Sequence, residues 1–195
     1  EVVDGDQLMS ICGNYMKQKG TLKKNTIVAT VMSNLGMFLM GEREGIHIEK
    51  TKVGDRYVLE NMLENGYNIG GEQSGHIIFL DENTTGDGLL SALHLLQVMT
   101  ETKKKLSELA SIMEVLPQAL VNAKVPNHKK EHFEEYAEIA EAIAEVEAKF
   151  AGEGRVLIRP SGTEPLVRVM IEGKDQQLIE SEAQKLAELI SSIML

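Results

Sequence analysis

The first 115 residues alternate between short apolar runs and longer stretches with helical spacing. Residues 25–32 (NTIVATVM) are almost continuously apolar, which is typical of a strand covered on both faces. Further strands are predicted at residues 46–48 and at both ends of residues 67–80. Helices are predicted between them, the first over residues 6–19 with Asp6 as its N-cap. This alternation indicates a three-layer α/β domain with a mixed sheet.

The pattern changes near residue 116. One strand, a polar loop over residues 126–130 and a strongly acidic amphipathic helix from about Phe133 to Phe150 are followed by a strand pair and a last helix after Asp175. This order favours a small α+β domain with an antiparallel sheet and helices on one face. We therefore predict two domains, residues 1–115 and 116–195.

The composition limits the partners of the protein. Among 195 residues, 30 are acidic and 20 basic, which gives a formal charge of −10 and argues against nucleic acid or an anionic membrane as a partner. The single cysteine, Cys12, excludes an intrachain disulfide and a cysteine-based metal site, so we expect a reducing, cytoplasmic location. The chain lacks an initiator methionine, and we expect it to be part of a longer protein.

The strand pair in residues 155–173 (RVLIRPSGTEPLVRVMIEG) has an unusually polar connection. A simple hairpin needs only a small turn, whereas this one carries the residue types that bind a phosphate: a forked guanidinium, hydroxyls and a glycine that allows close approach of the backbone. A rigid, solvated surface hairpin is the alternative, and Glu164 counts against an anion. The candidate anion-binding residues are Arg159, Ser161, Gly162 and Thr163, with Arg168 in the following strand.

A second polar loop, residues 70–76 (GGEQSGH), connects two predicted strands. A carboxylate and a hydroxyl two residues apart, at Glu72 and Ser74, suit the vicinal hydroxyls of a sugar, which both donate and accept hydrogen bonds. His76 follows this pair closely in the sequence, and a histidine near the pair could transfer protons. A glycine-rich bend without any ligand is the alternative.

Other acidic residues resemble fragments of metal loops. Asp4 and Asp6, and separately Asp87, offer too few ligands for Mg²⁺, and helix capping explains Asp6 and Asp87 better. Asp55 and Arg56 follow a glycine and indicate a helix start. No metal ligand is assigned in this chain.

Four stretches together resemble a known family. TKVGDRYVLENM, GGEQSGHIIF, TTGDG and RPSGTEPLVRVMIEG occur in the order and at the separations seen in the bacterial phosphoglucosamine mutase family of the α-D-phosphohexomutase superfamily. The resemblance covers nearly all of the chain and places it in the third and fourth of four domains. Relatives that act on mannose or glucose phosphates often have GEMSGH, so Gln73 departs from their pattern.

The resemblance implies an isomerase of carbohydrate metabolism. Members of this family interconvert glucosamine 6-phosphate and glucosamine 1-phosphate, for UDP-N-acetylglucosamine and peptidoglycan synthesis, through a phosphoserine enzyme and a bisphosphorylated sugar. The serine and the Mg²⁺ ligands belong to the first and second domains. We therefore expect this chain to bind no Mg²⁺, to be inactive alone, and to act with those N-terminal domains as partners.

The resemblance also assigns roles to individual residues. It implies that Glu72, Ser74 and His76 bind the sugar, that the loop at residues 159–163 with Arg168 holds the phosphate that is not transferred, and that Asp55 and Arg56 face the substrate cleft. Two alternatives stay open: a sibling phosphomannomutase or phosphoglucomutase, and a stand-alone module that binds phosphosugars.

Overall fold

The computed structural model describes residues 2–150 and 152–195. The chain divides into two compact units, Glu1–Val115 and Leu116–Leu195. Within the described residues, no helix is both long and apolar enough to cross a lipid bilayer.

The described residues of the first unit form a four-stranded sheet and five α-helices. The strand order is β2-β1-β3-β4; β1 runs parallel to β2 and β3, and β4 is antiparallel to β3. The elements in chain order are α1 (Gly5–Gln18), β1 (Thr26–Thr30), α2 (Leu35–Glu44), β2 (His47–Thr51), α3 (Asp55–Asn65), β3 (Ile69–Gly71), β4 (Ile77–Phe79), α4 (Gly88–Thr102) and α5 (Leu106–Ala110).

Successive residues of β1 pack against helices on opposite faces of this sheet. Ile27 and Ala29 lie in one apolar cluster with residues of α1 and α2, whereas Val28 lies in a second cluster with Val58 and Met62 of α3. All five residues of β1 are buried, as the continuous apolar run predicts. The mixed sheet with helices on both faces confirms the predicted three-layer α/β fold.

The predicted N-cap of α1 is wrong by two residues. Asp4 is the cap: its side chain accepts a hydrogen bond from the backbone N–H of Gln7, and the Gln7 side chain accepts from the Asp4 N–H, which forms a capping box. Asp6 lies inside the first turn and is buried, and its carboxylate accepts a hydrogen bond from the Asn34 N–H at 2.7 Å. Both aspartates therefore have structural roles.

The second unit is a three-stranded antiparallel sheet covered by helices. Its elements are β5 (Gln118–Lys124), a 3-10 helical segment (Lys130–Glu135), α6 (Ala137–Phe150), β6 (Gly154–Pro160), β7 (Leu166–Gly173) and α7 (Gln176–Met194). The strand order is β5-β7-β6. Val167, Val169 and Ile171, on one face of β7, share a core with residues of α6 and α7. This arrangement confirms the α+β prediction.

The predicted acidic helix begins later than its sequence pattern indicates. Phe133 lies in the 3-10 segment, Tyr136 has an extended backbone, and α6 starts at Ala137. Phe133 is nevertheless buried in the core. The apolar pattern thus identifies the buried side chains correctly, but it does not reveal the break between two helical segments.

Candidate functional site

Two polar loops, one in each unit, contain the residues singled out from the sequence. In the second unit, the pairing of β6 with β7 continues as far as Arg159 opposite Arg168 and Pro160 opposite Val167. Like charges directly opposite each other in a sheet are destabilising. The pKa of Arg159 is lowered, first by burial and then by the positive charge of Arg168. An anion bound beside this pair would relieve both effects.

The loop after Arg159 is held together by its own hydrogen bonds. The Ser161 N–H donates to the Leu166 carbonyl at 2.9 Å, and the Leu166 N–H donates to the Glu164 carbonyl at 2.9 Å. The Ser161 hydroxyl accepts from the Glu164 N–H at 3.3 Å, and Ser161 itself is buried. These hydrogen bonds give the loop a defined shape, and the Ser161 hydroxyl is one of the groups that form them.

Gly162 and Thr163 are exposed at the tip of this loop. Among the described residues, their N–H groups donate no hydrogen bond within the protein. A Cβ on Gly162 would meet no protein atom within 4 Å, and its φ lies outside the left-handed region. Because the fold does not require glycine there, close approach of a ligand is the better reason for it.

Glu164 is the one acidic residue of the loop, and its negative charge counts against a bound anion unless it is paired with an arginine. Its carboxylate lies 3.5 Å from the guanidinium of Arg168 and is largely exposed. An exposed pair at this distance is weak, so Arg168 can still interact with a second anion.

Sequence reasoning missed Lys130. This lysine is buried, and its ammonium group donates hydrogen bonds to the backbone carbonyls of Ser161 and Glu164, in the latter case at 3.2 Å. Lys130 lies in a segment that the sequence predicts only as a polar loop, and no spacing or motif indicates that its side chain is buried.

In the first unit, the loop between β3 and β4 is closed by two backbone hydrogen bonds. The Glu72 N–H donates to the His76 carbonyl at 3.0 Å, and the Gly75 N–H donates to the Glu72 carbonyl at 2.9 Å. Gly75 has a φ of +97°, which other residues rarely adopt. Ser74 and His76 are exposed, and Glu72 is half-buried.

The start of α1 packs tightly against this loop. The Gly5 N–H donates to the Gln73 carbonyl at 3.0 Å, and a Cβ on Gly5 would lie 2.2 Å from the Glu72 carbonyl oxygen. Only glycine permits this approach of the two backbones. The loop is thereby fixed on a rigid helix.

The same loop contacts the N-terminus of α3. The Glu72 carboxylate accepts a hydrogen bond from the Gly54 N–H at 3.0 Å, and His76 Nε2 lies 3.6 Å from a carboxylate oxygen of Asp55. The structure thus brings Asp55 close to the predicted sugar-binding residues. Arg56 points elsewhere: it pairs with Glu60 at 2.7 Å, and this carboxylate raises the pKa of Arg56.

This arrangement suits recognition of hydroxyl groups. Ser74 and His76 share a shallow depression with the segment Gly86–Gly88, and a Cβ on Gly86 would lie 1.9 Å from the His76 ring. The Ser74 hydroxyl and the His76 imidazole offer both donors and acceptors there. The described part of the chain has no group of three or more histidine, cysteine or acidic side chains placed to hold a metal. Asp87 instead caps α4 through the Leu89 and Leu90 N–H groups.

Two family descriptions match the chain. Residues 4–116 match the phosphoglucomutase/phosphomannomutase alpha/beta/alpha domain III, and residues 120–189 match the phosphoglucomutase/phosphomannomutase C-terminal domain. The chain is 63% identical over 189 residues to the phosphoglucosamine mutase of Ruminiclostridium cellulolyticum and 64% identical over 189 residues to that of Acetivibrio thermocellus. In each case 97% of this chain is aligned, but it spans only 42% of the relative.

Solved structures share the fold at low sequence identity. N-acetylphosphoglucosamine mutase of Aspergillus fumigatus superimposes with a TM-score of 0.81 and 17% identity, covering 100% of this chain and 44% of that protein. An N-acetylglucosamine-phosphate mutase in its product complex gives a TM-score of 0.77 and 23% identity, covering 97% of this chain and 44% of that protein.

Proposed function

The chain belongs to the phosphoglucomutase/phosphomannomutase family, and we propose that it is the substrate-binding part of a phosphoglucosamine mutase. The complete enzyme would interconvert glucosamine 6-phosphate and glucosamine 1-phosphate through a phosphoserine and a bisphosphorylated sugar. The high identity to two phosphoglucosamine mutases favours this member of the family over a phosphomannomutase or phosphoglucomutase.

One observation carries the assignment of the phosphate loop: Arg159 and Arg168 face each other across two strands in a chain of formal charge −10. A guanidinium pair that is unfavourable by itself becomes favourable when a dianion lies beside it. Gly162 and Thr163 add backbone N–H groups, and Thr163 adds a hydroxyl. Ser161 supports the shape of the loop.

The loop at Glu72, Ser74 and His76 would bind the sugar ring. Its carboxylate and hydroxyl bind vicinal hydroxyls, and Asp55 orients the histidine. Arg56 would act at the substrate only after leaving Glu60. In this proposal the loop of the first unit recognises hydroxyl groups, the loop of the second unit recognises charge, and the chemistry proceeds at a phosphate that is bound elsewhere. Electrostatic stabilisation and in-line placement of that phosphate would come from other domains.

A structure of a fungal relative is described as a complex with GlcNAc-6P and magnesium. We propose that Mg²⁺ is held by the N-terminal domains of the complete enzyme and not by this chain. We also propose that the complete enzyme acts in the cytoplasm.

A chimaeric enzyme tests the function. In the phosphoglucosamine mutase of R. cellulolyticum, the matched region is replaced by this chain, and turnover of glucosamine, mannose and glucose 6-phosphates is measured. We expect glucosamine 6-phosphate to be the preferred substrate and the Arg159→Ala chimaera to lose most of the activity. A folded chimaera that prefers a neutral sugar, or that has no mutase activity, would contradict the proposal.

A further inference from the structure

Lys130 occupies an unusual position for a lysine. Only 8% of its surface is exposed. Its 3-10 segment is anchored by the Lys130 N–H, which donates to the Pro126 carbonyl at 3.2 Å, and by Phe133, which is buried in the core of the second unit. The ammonium group lies behind the loop that connects β6 to β7 and donates to two of its carbonyls.

The hydrogen bond to the Ser161 carbonyl determines where the loop presents one backbone N–H group. A trans peptide is planar, so its carbonyl and the following N–H point in opposite directions. The Ser161 carbonyl points inward to Lys130, and the Gly162 N–H must therefore point outward. The second carbonyl belongs to Glu164, which precedes Pro165 and therefore has no following N–H to orient.

The positive charge of Lys130 also favours an anion at the loop. In the described part of the chain, no carboxylate lies within ion-pair distance of its ammonium group, which donates to the two carbonyls. A buried positive charge without a counter-charge creates a field that favours an anion nearby, because the protein interior screens it less than water does. This charge adds to those of Arg159 and Arg168.

The neighbouring lysine offers a contrast. Lys129 is half-buried and donates to the carbonyl of Met194 at 2.9 Å, near the C-terminus of α7. Cations commonly stabilise the last carbonyls of a helix, so this contact has a structural explanation. Lys130 makes the same kind of bond, but to the loop that carries the proposed phosphate-binding groups.

We propose that Lys130 is a positioning residue for phosphate binding: it fixes the loop so that the Gly162 N–H faces the anion, and its charge strengthens the site. The inference rests on the proposed function for the identity of the ligand. It assigns Lys130 no contact with the reacting atoms.

The test compares the 195-residue chain with Lys130→Met and with Lys129→Met as the matched control. Backbone amide spectra are recorded without ligand and during titration with glucosamine 6-phosphate. In Lys130→Met we expect displaced and faster-exchanging amides of Gly162 and Thr163 before ligand is added, and roughly tenfold weaker binding. Lys129→Met should keep the amide positions and the affinity of the wild type.

The outcomes separate this inference from the proposed function. If the wild type binds no phosphosugar, the proposed function fails, while the ligand-free amide shifts still decide the role of Lys130. A folded Lys130→Met with wild-type amides at Gly162 and Thr163, or with wild-type affinity, overturns the inference. If Lys130→Met does not fold, Lys130→Gln is used, because its amide still donates but is neutral; wild-type affinity in that variant also overturns it.

Discussion

Arg159 and Arg168 are direct partners across the antiparallel pair of β6 and β7, at the point where the hairpin loop begins. The sheet thus places two permanent positive charges side by side, and burial together with Arg168 lowers the pKa of Arg159. Structural stability alone does not favour this pairing. We therefore propose that an anion binds to both side chains.

Replacing Arg168 by Gln should separate stability from binding. Without ligand, loss of the repulsion should leave the free energy of unfolding unchanged or raise it by up to about 0.5 kcal/mol, since the exposed pair with Glu164 contributes little. Affinity for glucosamine 6-phosphate should fall roughly tenfold. Urea unfolding and calorimetric titration of the same samples measure the two quantities.

Arg155→Gln is the matched control, because Arg155 lies in β6, the strand paired with that of Arg168, but forms an ion pair with the fully buried Glu172. Breaking that pair should lower the free energy of unfolding by about 3–5 kcal/mol. If Arg168→Gln destabilises the protein as much as Arg155→Gln does, Arg168 is a structural residue and the interpretation of the arginine pair is wrong.

Gly75 should be required for its backbone conformation alone. Its φ is +97°, and a Cβ there would meet no atom within 4 Å, so Gly75→Ala introduces strain without a clash. We expect a loss of about 1–2 kcal/mol in the free energy of unfolding. Gly88→Ala is the control, because Gly88 is equally open but has no positive φ. Equal effects of the two substitutions would rule out this explanation.

Glu72→Gln should weaken binding of the sugar but not of inorganic phosphate. The carboxylate accepts hydrogen bonds from hydroxyl groups, which inorganic phosphate does not present to this loop. We expect affinity for glucosamine 6-phosphate to fall roughly fivefold to tenfold and affinity for phosphate to stay constant. Gln73→Met, at the adjacent position, should change neither. A parallel loss for both ligands would show that Glu72 acts through the fold and not through the sugar.

Glu182 should make the stability of the second unit depend on acidic pH. It is buried and pairs with Lys149 at 2.6 Å and Lys185 at 2.8 Å, and these two cations lower the pKa of its carboxyl below the ordinary value. A carboxyl whose pKa is lower in the folded state stabilises the fold above its unfolded pKa of about 4.3, and this contribution is lost as the pH falls through the folded value. Urea unfolding at about pH 7 and about pH 3 should show a smaller difference in Glu182→Gln than in the wild type. An identical pH dependence in both proteins would exclude this role.

The sequence predicts the parts of the fold that follow from periodicity. The continuous apolar run at Thr26–Thr30 becomes a strand buried on both faces, and the apolar run that begins at Leu166 becomes β7. Features that depend on a single hydrogen bond are harder to predict. Asp4 and Asp6 are both plausible caps in sequence, and only the helix start in the structure decides between them.

The candidate site shows the same division. Residue types and spacing identify Arg159 and Arg168, but only the strand register reveals that they are direct partners. Proximity of His76 to Asp55, which are 21 positions apart, depends on tertiary packing of the loop against α3. Lys130 is 31 residues from Ser161, and a lysine in a polar segment carries no pattern that predicts burial.

The central claim is that the β6–β7 loop is the phosphate receptor, and a titration of the backbone amides with glucosamine 6-phosphate tests it most directly. In the wild type we expect the amides of Gly162 and Thr163 to move most. Arg159→Ala should weaken binding by roughly tenfold to a hundredfold, because a charge-assisted hydrogen bond is lost. Arg43→Ala, which removes an exposed guanidinium paired with Glu44 in the first unit, should bind like the wild type. Equal perturbation of these amides in wild type and Arg159→Ala would contradict the claim.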